Sequence, residues 1–173
     1  HRLPPELAVR LFRVYGDLAE DALRDDPYLL SDPYFGADFA VVDAFALELD
    51  VEADDERRVE AGILFELSYN LTNGHTFIPQ NKLIPATAAL LNLDSETIES
   101  GMERLDEQQR MVRSEVAGLT ACYLPEFYEA ECEVTERLVR MADLRIQPPS
   151  KLEAMLRSIE AKRAIDYAAC QMQ

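Results

Sequence analysis

The chain has 173 residues, of which 48% are apolar, enough for one domain or two small ones and too many for a disordered chain. Its 33 acidic residues against 17 basic ones give a net charge of −16, which argues against strong nonspecific DNA affinity, since that comes from Lys and Arg neutralising phosphates. No apolar run is long enough to span a membrane and no signal peptide opens the chain, so a membrane protein is not expected. Cys122, Cys132 and Cys170 lack any CxxC spacing, so neither a disulfide framework nor a zinc site is expected, and free thiols in a reducing cytoplasm are. The chain opens at His1 without a methionine and ends inside a helical pattern, which reads as a piece of a longer protein.

Pro4 and Pro5 mark a helix start, and Leu7, Leu11 and Val14 mark its inner face. Gly16 suits a C-terminal cap. Asp17 and Glu20 predict a capping box for a second helix through Leu23. Arg10 and Arg13 are the basic residues of the first helix, either solvated face charges or candidate DNA contacts.

Pro27–Leu49 reads as a short helical turn, a loop at Ser31–Gly36, and a helix opening near Ala37 or Asp38. Phe39, Val42, Ala46 and Leu49 share one face of that helix. Glycine before a helix start lets backbone approach a partner, and the free N–H groups there can hold a phosphate. Gly36 and Ala37 are therefore candidate DNA-binding residues, in a helix-hairpin-helix arrangement. Asp38 can cap the same helix with its own carboxylate, so a hairpin kept only for packing is the competing reading.

After the polar connector Asp50–Asp55, with Asp54 or Asp55 as cap, a helix over Arg57–Leu71 buries Val59, Ile63, Leu67 and Leu71. Thr76–Ile78 is predicted as a strand. Asn81–Leu91 is predicted as a helix with Leu83, Thr87, Ala88 and Leu91 inward, either beginning late with Pro85 in its first turn or distorted there. Asp94 or Ser95 caps a third helix to about Gln108, with Ile98, Met102 and Leu105 inward. Met111–Ser114 and Leu119–Leu124 form two strands around Gly118. Helix, strand, helix, helix and a two-stranded ribbon is the winged-helix order. Pro125 then starts a helix marked by Phe127, Val134, Leu138 and Met141. Gln147–Pro149 breaks it, and Ser150 with Glu153 predicts a capping box for Leu152, Leu156 and Ile159.

The expected fold is mainly α: a helix-hairpin-helix-like bundle at 1–54, a winged helix with a small antiparallel β-ribbon at 55–124, and connecting helices at 125–173. No phosphate-binding GxxxxGK[ST] loop or catalytic motif is present, so no catalysis is expected of this chain itself. His75, at a helix-to-strand junction, either contacts DNA or a motor or ties its turn by bonding backbone. Glu96, Glu99, Glu103 and Glu107 recur along the outer face of the third winged-helix helix, where a DNA reader would enter the major groove. That stripe is a candidate interaction surface for a protein partner. Lys82, Arg110 and Arg113 are the remaining DNA-contact candidates, the last two leading into the wing.

Four runs also carry a resemblance. PYLL at 27–30, FGADF at 35–39 and VDAFALEL at 42–49, followed by NGHTFIP at Asn73–Pro79, resemble signatures of RecD-like ATP-dependent DNA helicases (exodeoxyribonuclease V alpha-chain-like). The similarity runs roughly from Leu3 to Met141 and lies ahead of the motor. It departs from the family where Asp38 replaces a second hairpin glycine. Ala164–Gln173 resembles the helix before the motor's phosphate loop, with Gln171 in the place of an adenine-reading glutamine. The resemblance implies an accessory region of a bacterial 5′–3′ helicase of recombination and repair, with ATP and Mg²⁺ used by the parent's motor; the charge of −16 and the lack of a basic cluster predict weak DNA binding in isolation. An interaction module with an acidic winged helix, or a winged-helix transcription regulator, are the other readings.

Overall fold

The computed structural model describes residues 4–144 and 150–168. Two compact units divide the chain, His1–Cys132 and Glu133–Gln173. The first opens with α1 (Pro5–Tyr15), which starts with proline in its first turn and ends at Gly16, whose φ of +56° needs no Cβ. Leu7 and Leu11, one turn apart, are buried, whereas Val14 is 51% exposed because the inner face ends a turn earlier than expected. The Asp17–Glu20 capping box does not form. Gly16–Leu18 makes a 3₁₀ turn instead, and α2 (Ala19–Asp25) starts with Leu18 at its N-cap and no side-chain cap.

A second 3₁₀ turn, Pro27–Ser31, is capped by Asp26, and α3 (Phe39–Glu48) is capped by Asp38. Phe39, Val42 and Ala46 are buried as their spacing requires; Phe45 is buried with them. Leu49, by contrast, falls at the C-cap and is 37% exposed. Asp55 caps α4 (Glu56–Thr72), the central helix of this unit. Val59, Ile63 and Leu67 are its fully inward positions, and Leu71 is half-buried.

β1 (Phe77–Pro79) leads into α5 (Gln80–Leu91), then α6 (Ser95–Glu107, capped by Asp94), β2 (Val112–Val116) and β3 (Leu119–Tyr123). The sheet order is β1-β3-β2, antiparallel throughout, with Ile78 and Arg113 both opposite Cys122. This is the helix-strand-helix-helix-ribbon path of a winged helix, and the fold is mainly α with a small ribbon. Leu83 and Leu91 from α5 and Ile98, Met102 and Leu105 from α6 pack with α4 in one core, which continues to Leu30, Phe39 and Val42 of the hairpin region.

Pro85 does not delay α5. The helix begins at Gln80 and runs through Pro85, which has no N–H to give the Asn81 carbonyl one turn back. Asn92, in the left-handed region at φ 55°, ends it. α4 and α6 pack closely because α6 carries glycine at the contact: a Cβ on Gly101 would lie 2.5 Å from Val59 Cγ1.

α7 (Pro125–Asp143) starts in the first unit and ends in the second; Val134, Leu138 and Met141 on it are exposed. In the second unit α8 (Leu152–Arg163) has Lys151 at its N-cap without a side-chain cap, so the Ser150–Glu153 box is absent. Residues 165–168 are not helical, contrary to the helical reading of the C-terminal stretch. The expected breaker at Gln147–Pro149, Cys170 and the Gln171 position lie outside the described residues.

Candidate nucleic-acid and docking surfaces

The hairpin is organised by aspartates. Asp26 Oδ1 accepts the Tyr28 N–H at 2.9 Å, Asp32 Oδ1 the Tyr34 N–H at 2.8 Å, and Asp38 Oδ1 the Ala40 N–H at 2.9 Å. Each holds an amide that a short turn or helix start leaves unpaired. Gly36 has φ +67°, a left-handed conformation that glycine adopts without strain. Its N–H donates to the Asp32 carbonyl at 2.9 Å, and the Ala37 N–H to the Leu30 carbonyl at 3.2 Å. The two candidate phosphate-cradling amides are thus already satisfied within the hairpin, and the Asp38 carboxylate stands at the helix start. Arg10 reaches the same loop from α1, its Nη1 donating to the Phe35 carbonyl at 2.7 Å. Arg13, exposed one turn on, makes no ion pair among the described residues.

Beneath the hairpin lies a buried polar network that reading the sequence missed. Arg58 donates from Nε and Nη2 to the two oxygens of Asp43, at 2.8 and 3.0 Å, and from Nη1 to the Ala53 and Leu91 carbonyls at 2.6 and 3.2 Å. The Tyr28 hydroxyl donates to Asp43 Oδ1 at 2.7 Å. One guanidinium thereby joins the hairpin, α3, the start of α4 and the end of α5. Burial, the Asp43 hydrogen bond and its negative charge hold the Tyr28 phenol far above its ordinary range. Burial works against the charge on Arg58, but the Asp43 bonds and charge outweigh it and raise its pKa.

The winged-helix cations are mostly committed. Glu60 of α4, 7% exposed, accepts from Arg104 Nε at 3.3 Å and Arg110 Nη1 at 3.0 Å, with Gln108 Nε2 also at 3.3 Å. Arg113 Nη2 pairs with Asp106 at 2.8 Å. Lys82 is exposed on the first turn of α5. Glu96, Glu99, Glu103 and Glu107 are all exposed along α6, on the side away from buried Ile98, Met102 and Leu105. The His75 ring is exposed; its backbone N–H, not its ring, ties the turn by donating to the Asn70 carbonyl at 3.2 Å. Cys122 is buried, which pushes its thiol up to about 11, and Cys132 is exposed; both are free.

The sequence signal for the missed network was faint. Arg58 sits beside Val59, and a single-face helix would leave it in water. Its neighbours one turn on, Ala61 and Gly62, are small, and that is the one trace of a second packed face.

A helix-hairpin-helix region that leads into a winged helix is the arrangement these elements define. Residues 1–77 match the family model of the ATP-dependent RecD2 DNA helicase HHH domain. By that match the stretch is similar to the N-terminal helix-hairpin-helix region of RecD2-like helicases. Among the described residues no helix is long and apolar enough to cross a membrane.

Proposed function

We propose that this chain is the non-motor, N-terminal accessory region of a 5′–3′ DNA helicase of recombination and repair, which positions DNA ahead of the motor and docks on the motor domains of its own chain. In this reading 1–54 is the helix-hairpin-helix part, 55–124 the winged helix, and 125–173 the connection toward a motor that brings the ATP and Mg²⁺ chemistry. DNA contact falls to Arg10 and Arg13, beside the hairpin loop of Gly36 and Ala37, and to Lys82, which makes no ion pair among the described residues. The winged helix serves docking.

The observation that carries the docking half is the α6 face. It is fixed by buried Ile98, Met102 and Leu105 and presents four carboxylates where a groove-reading helix presents cations, while Arg110 and Arg113 are held in internal ion pairs. Glu99→Lys with Glu103→Lys tests it. Both sites are solvated, so the circular dichroism melt should stay within about 0.5 kcal/mol of the original stability. Affinity for duplex DNA by fluorescence anisotropy should rise, and crosslinking of this region to the motor in the full-length protein should fall. Loss of a DNA affinity that the unaltered chain possessed would place α6 in a DNA groove and end the docking reading.

A further inference from the structure

The N-terminal halves of α5 and α6 and the turn between β2 and β3 line an open cleft of about 490 Å³. Its apolar wall includes Ile84, Pro85 and Leu119, and its polar wall Asn81, Glu99 and Thr120. Leu119 is 47% exposed on the wing, an aliphatic side chain left outside the core.

The polar wall, which also includes Gln80 and Ser95, offers several acceptors. Pro85 has no N–H, so the Asn81 carbonyl lacks its donor one turn on, and both residues line the cleft. The Thr120 hydroxyl donates a hydrogen bond to Glu115 Oε1 at 2.8 Å, which leaves its lone pairs to accept. Glu99 is the charged residue of the lining, with Glu96 and Glu103 exposed one turn to either side; among the described residues no Lys or Arg lines the cleft. An aliphatic wall with a carboxylate at its rim suits a long stem with a cationic head, beside a second apolar group covering Leu119. The same carboxylates repel a phosphate backbone.

We propose that this cleft is the docking site for a protein segment carrying an Arg or Lys side chain beside an aliphatic one. The proposal rests on the docking reading of the winged helix and names the chemistry of its partner. The test is an amide-shift NMR titration of the 173-residue chain with a blocked Gly-Arg-Leu-Arg-Leu-Gly peptide. Saturable shifts should concentrate at 80–84, 95–99 and 118–120. Leu119→Asp should weaken binding roughly tenfold, and so should Pro85→Ala, which restores the missing N–H and removes the ring. Glu99→Gln should weaken it and flatten its salt dependence. Melting curves establish that each variant is folded.

Shifts spread along the outer face of α6, unmoved by Leu119→Asp or Pro85→Ala, would reduce the effect to diffuse charge attraction and overturn the cleft. So would the absence of saturation, or single-stranded DNA shifting the same amides more strongly than the peptide. Leu119 and Pro85 stand apart from the Glu99 and Glu103 pair used against the motor. If only the cleft variants are silent while the double charge reversal still weakens crosslinking, the cleft fails and motor docking stands. If the peptide binds as expected but crosslinking is unchanged, the cleft stands and its partner is not the motor.

Discussion

Arg58 and Asp43 show what one buried charge demands. The Arg58 side chain is 7% exposed and that of Asp43 16%, so each relies on the other for the solvation it has lost. Removing one partner costs more than the pair is worth, because the remaining charge stays buried. Asp43→Ala should therefore destabilise the chain by about 3–5 kcal/mol, read as a lower urea midpoint. A loss under about 1 kcal/mol would mean that the guanidinium swings out to solvent. Glu66 is the opposite case. Burial raises its pKa, so the folded chain holds this proton more tightly than the unfolded one. Stability from this group falls as pH rises from the ordinary glutamate range through the raised folded value. Glu66→Gln should melt higher than the unaltered chain at pH ~7, with the gap closing toward pH ~4. An unchanged gap across that range would assign the effect to packing. Asp55 runs the other way. The Arg57 hydrogen bond depresses its pKa, so its contribution is present above the ordinary aspartate range and is lost as pH falls through the depressed value.

At the scale of elements, α4 carries the architecture. Its N-terminal half is buried on several sides, from Arg58 through Ile63, because the hairpin region packs on one side and α5 and α6 on the other. The α4–α6 contact depends on Gly101. An added Cβ would meet Val59 Cγ1 at 2.5 Å and Ile63 Cδ1 at 3.1 Å. Helix propensity favours alanine by up to about 1 kcal/mol, but Val59 is β-branched and stiff, and overpacking costs about 1–3 kcal/mol. Gly101→Ala should thus lose roughly 1–2 kcal/mol in chemical denaturation. Gly62→Ala should lose less, because what it meets at 2.8 Å is the end of the Leu91 side chain. If Gly101→Ala proved stabilising, α4 and α6 would have room to separate.

Across the whole molecule, the net charge of −16 works against compactness. Raising salt from ~10 mM to ~1 M shortens the screening length from about 30 Å to 3 Å. The many unpaired carboxylates should gain more from this than the exposed ion pairs lose, so the melting temperature should rise with sodium chloride. A falling one would show that ion pairs such as Arg104–Glu60 and Arg113–Asp106 dominate the balance. The same charge sets the DNA prediction: at ~150 mM salt the isolated chain should bind duplex with a micromolar or weaker dissociation constant, and nanomolar affinity by anisotropy would contradict the proposed surface.

The sequence determined the winged-helix path. Its helices carry capping aspartates at 55 and 94 and one-face apolar spacing, and its strands are set off by Pro79, Gly118 and Pro125. These are local signals, written within a few residues of where they act. It also contained the hairpin, through Gly36 and the cap at Asp38, and the exposure of the α6 glutamates, which follows from which side Ile98 and Met102 bury. Tertiary structure alone decided the rest. Val14, Leu49 and Leu138 fit a helical face, yet are exposed because no described neighbour covers that length of the helix. Arg58 and Glu60 read as surface charges, yet are buried because α4 is covered on more than one side. Arg110 and Arg113 read as free wing cations, yet are spent on Glu60 and Asp106, residues 50 and 7 positions away. Periodicity reports the preference of one element for one buried face. How many faces are covered, and which charges meet, depends on chain brought from far along the sequence, and no local pattern encodes that.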